Sequence, residues 1–142
     1  MALEFENISI GVDTEEIERF EKYAQDKDSV FLLKIYTPNE IEYCFKSNST
    51  AKHLAVRFCA KESVYKAFCG FGIKLSSFSE IEIVHDENNV PQVKLPQGFE
   101  DYAVKISLSH SRQTAIAQVI AVKNIIQYRF YRMKHPAKEG RI

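Results

Sequence analysis

The stretch Arg57 to Phe68, RFCAKESVYKAF, constrains the fold of this 142-residue chain more than any other. Wound at about 3.6 residues per turn, its apolar side chains Phe58, Val64, Tyr65, Ala67 and Phe68, with Cys59 and Ala60, cover most of the circumference, which predicts a largely buried helix. Four charges interrupt it. Glu62 and Lys66 share one stripe, Arg57 and Lys61 another, and charges in so apolar a helix are costly unless something pairs with them. Glu62 with Lys66 reads either as an ordinary i,i+4 ion pair, worth about 0.2–0.5 kcal/mol, or as a carboxylate and cation held for a phosphate or metal.

The length suits one domain with a modest core. Lys plus Arg equals Asp plus Glu at 19 each, so the molecule as a whole carries no strong field for nucleic acid or membrane. The balance is uneven: from Lys123 onward six basic residues stand against Glu139 alone, and aromatic residues interleave with them. No recognised motif there supports nucleic-acid binding. Cys44, Cys59 and Cys69 form no CxxC pair, and an odd count with two in helical patterns predicts buried thiols in a reducing compartment, hence a cytoplasmic protein. The N-terminal MALEFENISI lacks a basic n-region, and the longest apolar run, Ala115 to Val122, is interrupted by Gln118 and too short to span a bilayer.

Along the chain, Ile8 to Val12 reads as a buried strand ending at Asp13, with a helix following at once on Ile17, Phe20 and Ala24. Asp13 is then either the N-cap of that helix or a functional carboxylate at a strand end. Thr37-Pro38-Asn39-Glu40 is a capping box with Pro at N1, opening a short helix through about Phe45. Ser49 or Thr50 is expected to cap the central helix, which runs to about Phe68, where Gly70 reads as a C′ residue in left-handed geometry. Ser79 to Val84 and Val90 to Leu95 alternate around turn residues and predict a hairpin, with Pro91 near an edge. Lys105 to His110 and Thr114 to Val122 predict a second hairpin, placing His110 at a strand end, where a lone histidine is most simply a satisfied polar residue.

The order of these pieces resembles the holo-acyl-carrier-protein synthases, the small single-lobe 4′-phosphopantetheinyl transferases. The matching residues are Gly11-Val12-Asp13 leading into Glu16 and Arg19, the whole of Arg57 to Phe68 followed by Gly70 and Gly72, Ile81-Glu82-Ile83, Val90-Pro91-Gln92-Val93, and Ser107-Leu108-Ser109-His110-Ser111. The resemblance covers nearly all of residues 8 to 122. It implies an α+β fold, a single compact domain over residues 1–123 in which an antiparallel sheet of hairpins packs on the long central helix, followed by a basic C-terminal extension over 124–142 that the family pattern does not require.

The activity implied is Mg²⁺-dependent transfer of 4′-phosphopantetheine from coenzyme A to a serine of apo acyl carrier protein, as in fatty acid biosynthesis, with a polyketide carrier left open. By resemblance Asp13 and Glu62 are the metal ligands, Lys66 a phosphate contact, and Glu62 or His110, directly or through a metal-bound water, the general base. Arg57, Lys66, Gly70, Gly72 and His110 lie near coenzyme A, and Arg19 meets the acidic carrier protein. Homotrimers with active sites between subunits are implied too. The rival reading is a noncatalytic module that binds carrier protein or coenzyme A. Such a module is expected to lack one of the two carboxylates or the lysine, and this chain keeps all three.

Overall fold

The computed structural model describes residues 5–124 together with Ile126, Met133 and Lys134. The expected basic extension over 124–142 otherwise lies outside the described residues.

Strand β1 (Ile8–Glu16) leads through two short 3-10 turns into helices α1 (Val30–Ile35), α2 (Pro38–Phe45) and α3 (Thr50–Gly70). Strands β2 (Glu82–His85), β3 (Pro91–Lys94), β4 (Tyr102–His110) and β5 (Thr114–Lys123) follow. β1, β5 and β4 form an antiparallel sheet in that order, and β2 and β3 form a separate two-stranded one, so Pro91 does sit on an edge. The architecture is the α+β arrangement expected, and the second hairpin lies where alternation put it. The first is displaced: the strand expected over Ser79 to Val84 gives way to a 3-10 turn at Phe78–Glu80 and runs over Glu82–His85. Among the described residues no helix is long and apolar enough to cross a membrane.

Small residues set the distance between α3 and the sheet. Ala115, Ala117 and Ala121 of β5 are fully buried beneath the helix, and Ser63 donates from its hydroxyl to the Ala117 carbonyl at 3.0 Å. Gly11 permits the closest approach: a Cβ there would stand 1.9 Å from the Ser63 carbonyl oxygen. The 21-residue α3 is thereby enclosed on nearly every side, as its composition predicts.

The two charges on the inner stripe of α3 meet different fates. Lys61 is wholly buried and lies 2.7 Å from Glu40 of α2, and its ammonium also donates to the Phe78 and Ile81 carbonyls. Glu40 closes the capping box on the Thr37 amide and accepts from the Ile83 amide through its other oxygen. The capping box of α2 thus anchors a buried ion pair that ties α2, α3 and β2 together. Arg57 receives no such partner and instead lies over the Tyr43 ring.

Four local expectations are corrected. β1 does not end at Asp13; it pairs with β5 as far as Glu16↔Thr114, because Thr114 to Ala117 continue the ladder, and Asp13 sits mid-strand opposite Ala117 rather than capping a helix. The segment after it is not an α-helix but 3-10 turns at Ile17–Phe20 and Tyr23–Gln25, which still bury Ile17 and Phe20. Ser49 makes no side-chain cap to α3, and the Thr50 hydroxyl turns back to the Ser47 carbonyl. α3 continues through Gly70, whose missing side chain makes room for Ser9, and the left-handed residue is Gly72, at φ +74°.

Candidate active site

Alternation along β1 puts Gly11, Asp13 and Glu15 on the face toward α3. Helical spacing puts Glu62 and Lys66 on the flank of α3 that meets them. The ammonium of Lys66 bonds across to Asp13 Oδ1 at 2.8 Å and to the Val12 carbonyl at 2.9 Å, rather than pairing down its own helix with Glu62. Asp13 Oδ2 is buried and has no hydrogen-bond partner. Burial pushes the Glu62 carboxyl above the ordinary carboxylate range, and the Asp13 charge adds to the effect against the pull of Lys66. The hydrogen bond to Asp13 holds the Lys66 ammonium above its usual value.

Glu15 and Cys59 join this group without having been singled out from sequence. Glu15 pairs with Arg19 one turn on, and burial raises its carboxyl ahead of the opposing Arg19 charge. The i,i+2 spacing of Asp13 and Glu15 on a strand was the available signal. Cys59 lies under β5, its thiol directed at the Ala115 carbonyl 3.5 Å away, and burial with the Asp13 and Glu15 charges pushes it up to about 12, so it is a neutral packing group at physiological pH.

The other candidates are dispersed. His110 is opposite Ala115 on β5, which is opposite Glu15 on β1, so two strand spacings, about 10 Å, separate it from the carboxylates. It is exposed and lines a cleft of about 830 Å³ with Thr50, Lys52, Ser111 and Arg112. Arg19 is exposed beside the carboxylates and borders a groove lined by Phe20, Tyr23, Phe31 and Phe58. Arg57 is buried on the side of α3 away from Asp13, and Gly70 and Gly72 close its far end.

The family model described as the 4′-phosphopantetheinyl transferase superfamily matches residues 9–120. The chain belongs to this superfamily. Among these transferases it is 40% identical over 118 residues to a holo-[acyl-carrier-protein] synthase of Geobacter sp. (strain M21), covering 78% of this chain and 94% of that protein. It is 43% identical over 117 residues to the holo-[acyl-carrier-protein] synthase of Chlamydia trachomatis serovar D, covering 79% and 97%. A crystal structure of the Bacillus anthracis holo-(acyl-carrier-protein) synthase in complex with CoA (3′,5′-ADP) superposes with a TM-score of 0.67 at 30% identity, covering 81% of this chain and 96% of that one. The chain is thus an enzyme of the holo-acyl-carrier-protein synthase type, and in this transferase the fold brings the candidate residues Asp13, Glu62 and Lys66 together, with Arg19 beside them.

Proposed function

We propose that this chain transfers 4′-phosphopantetheine from coenzyme A to a serine of an apo acyl carrier protein with Mg²⁺, releasing adenosine 3′,5′-bisphosphate. The observation that carries the reading is the convergence of Asp13 and Glu62 beside Lys66, with one Asp13 oxygen buried and unpartnered. An orphaned carboxylate oxygen next to a second carboxylate whose proton affinity is raised is a site short of positive charge. Oxygen donors from two side chains suit Mg²⁺, which takes one or two carboxylates and completes its shell with water and substrate phosphate. Asp13 and Glu62 would hold the ion, which when bound neutralises charge on the diphosphate of coenzyme A.

The chain's own groups supply the rest. Lys66, half-exposed on the same stripe as Glu62, turns its ammonium from Asp13 to a phosphate oxygen. The carrier serine forms a new bond to phosphorus while the bridging P–O bond breaks and its electron pair leaves with adenosine 3′,5′-bisphosphate. The serine proton passes to Glu62 or to His110. Arg19 beside the carboxylates supports steering of an acidic carrier, with Glu15 holding its guanidinium in place.

A homotrimer with sites between subunits is part of the proposal. Its support is the outer face of the three-stranded sheet, where Ile8, Ile10 and Val12 of β1 and Ile116 and Ile120 of β5 are exposed side by side. We place this work in the cytoplasm, a reducing compartment in keeping with Cys44, Cys59 and Cys69 as free thiols.

The test is intact-mass spectrometry of apo fatty-acid and polyketide carriers incubated with the protein, coenzyme A and Mg²⁺, against an EDTA control. A gain of one phosphopantetheine on the carrier serine only with metal is the expected result. Binding of coenzyme A without any gain would make the protein a noncatalytic binding module.

A further inference from the structure

Glu15 stands two residues after Asp13 on the face of β1 toward α3, about 7 Å further along the strand. The Asp13 charge acts on Glu15, and the charges of both act on Glu62. Three carboxylates thus meet two cations, with Lys66 paired to Asp13 and Arg19 paired to Glu15.

The Glu15–Arg19 pair has the i,i+4 spacing of a helical pair without being one, since Glu15 belongs to β1 and Arg19 to the 3-10 turn at Ile17–Phe20. Its two members are unequally placed. The Glu15 side chain is 10% exposed and that of Arg19 63%, and among the described residues Arg19 alone bonds the Glu15 carboxylate. The cation is therefore free to turn toward a partner in solution, whereas the carboxylate stays where it is. Arg19 also borders the groove of Phe20, Tyr23, Phe31 and Phe58, so it stands at once beside the carboxylates and at an open surface. A largely enclosed carboxylate stripped of its cation is costly unless another positive charge takes over. With Arg19 in place, the three ionised carboxylates and two cations leave an excess of one negative charge. Without it the excess is two, which a divalent ion balances.

We infer that Glu15 is a positioning residue that couples carrier docking to metal binding: it holds Arg19 in the free protein and adds its charge to those of Asp13 and Glu62 once Arg19 turns to the carrier. The inference rests on the transferase reading and deepens it, since the metal is then bound more tightly in the carrier complex than in the free enzyme. Glu15 does not ligate the ion in this scheme; its charge acts across the strand spacing. Linkage makes the effect reciprocal, because a divalent ion at Asp13 and Glu62 stands in for Arg19 and releases the guanidinium to acidic groups of the carrier.

Mn²⁺, which suits the same oxygen ligands as Mg²⁺, reads the coupling through the electron paramagnetic resonance signal of the free ion. The full chain is titrated in the presence of coenzyme A, with and without an apo acyl carrier protein whose acceptor serine is replaced by alanine, so that no transfer occurs. In wild type the carrier should tighten Mn²⁺ binding by about fivefold or more, the lower end of coupling between linked sites. Arg19→Gln should bind Mn²⁺ more tightly than wild type when no carrier is present. Glu15→Gln keeps the shape and loses the charge, and it should bring the carrier's effect on Mn²⁺ to near unity with an unchanged circular dichroism spectrum. A carrier effect that survives in Glu15→Gln, or an Arg19→Gln variant that binds Mn²⁺ no tighter than wild type, overturns the inference. Equal wild-type affinity with and without carrier, alongside metal-dependent transfer to the unaltered carrier, sinks the coupling and keeps the enzyme. Absence of Mn²⁺ binding in every arm sinks the coupling and the metal site together.

Discussion

Lys66 Nζ stands 2.8 Å from Asp13 Oδ1, an ion pair that joins the middle of β1 to the flank of α3. It leaves the second Asp13 oxygen buried and unpaired and keeps Lys66 away from Glu62. Two residues far apart in the chain are thereby held one contact from the carboxylate with which each would share a metal or a phosphate.

Replacing either carboxylate oxygen by an amide removes a ligand at little steric cost. Asp13→Asn and Glu62→Gln should each keep the fold, judged by circular dichroism, and lower Mg²⁺-dependent transfer by more than about a hundredfold, the scale of losing a principal electrostatic contact. Near wild-type turnover in either variant would remove that residue from the mechanism.

The Glu40–Lys61 pair makes a stability prediction. Lys61→Met leaves the Glu40 carboxylate buried opposite a thioether and should cost about 3–5 kcal/mol in urea unfolding. Adding Glu40→Leu should recover part of the loss, although the capping box and the Ile83 amide then lose an acceptor. A double variant less stable than Lys61→Met would mean that those two hydrogen bonds outweigh the ion pair.

Stability should also depend on pH through His53 and His85. Both have folded values below the ordinary 6.5, chiefly from burial and then from Arg57. Below 6.5 the unfolded chain therefore binds more protons than the folded one, so stability is fully present above that value and falls as the solution is acidified through the folded values. A lower Tm at pH 5 than at pH 7.5, with the slope reduced in the His53→Gln, His85→Gln double variant, is the expected pattern.

The exposed isoleucines on the outer sheet face give the last prediction. Ile10, 69% exposed, pairs directly with Ile120 in the ladder. Ile10→Asp should reduce the sedimentation mass from trimer to monomer and abolish transfer while secondary structure is retained. An unchanged mass would place the subunit contact elsewhere.

Much of the fold was legible because its signals are local. Thr37 and Glu40 are three residues apart and form the capping box that their types predict, and the alternation of Ile106 and Leu108 against Ser107 and Ser109 marks β4 without reference to any other segment. The end of β1 was misread for the same reason. Asp13 followed by Glu16 looks locally like a helix start, yet the pairing with Thr114 to Ala117, a hundred residues away, overrides it. At the site, the Asp13, Glu62 and Lys66 motifs were visible in order and spacing, whereas Glu15 and Cys59 became neighbours only through the packing of α3 on the sheet.

The amino-acid sequence by itself determined α2, the buried character of α3, the second hairpin and the identity of the charged groups on the two stripes of α3, because side-chain periodicity and capping act over a few residues. Only the tertiary structure decided which charge each of those groups meets. Lys61 finds Glu40, Lys66 finds Asp13, and Arg57 finds the Tyr43 ring and, among the described residues, no anion. These partners lie on other elements, and their distances follow from how closely α3 packs on β1 at Gly11 and against α2. Whether a charge is paired or left waiting depends on that contact, which no local pattern encodes.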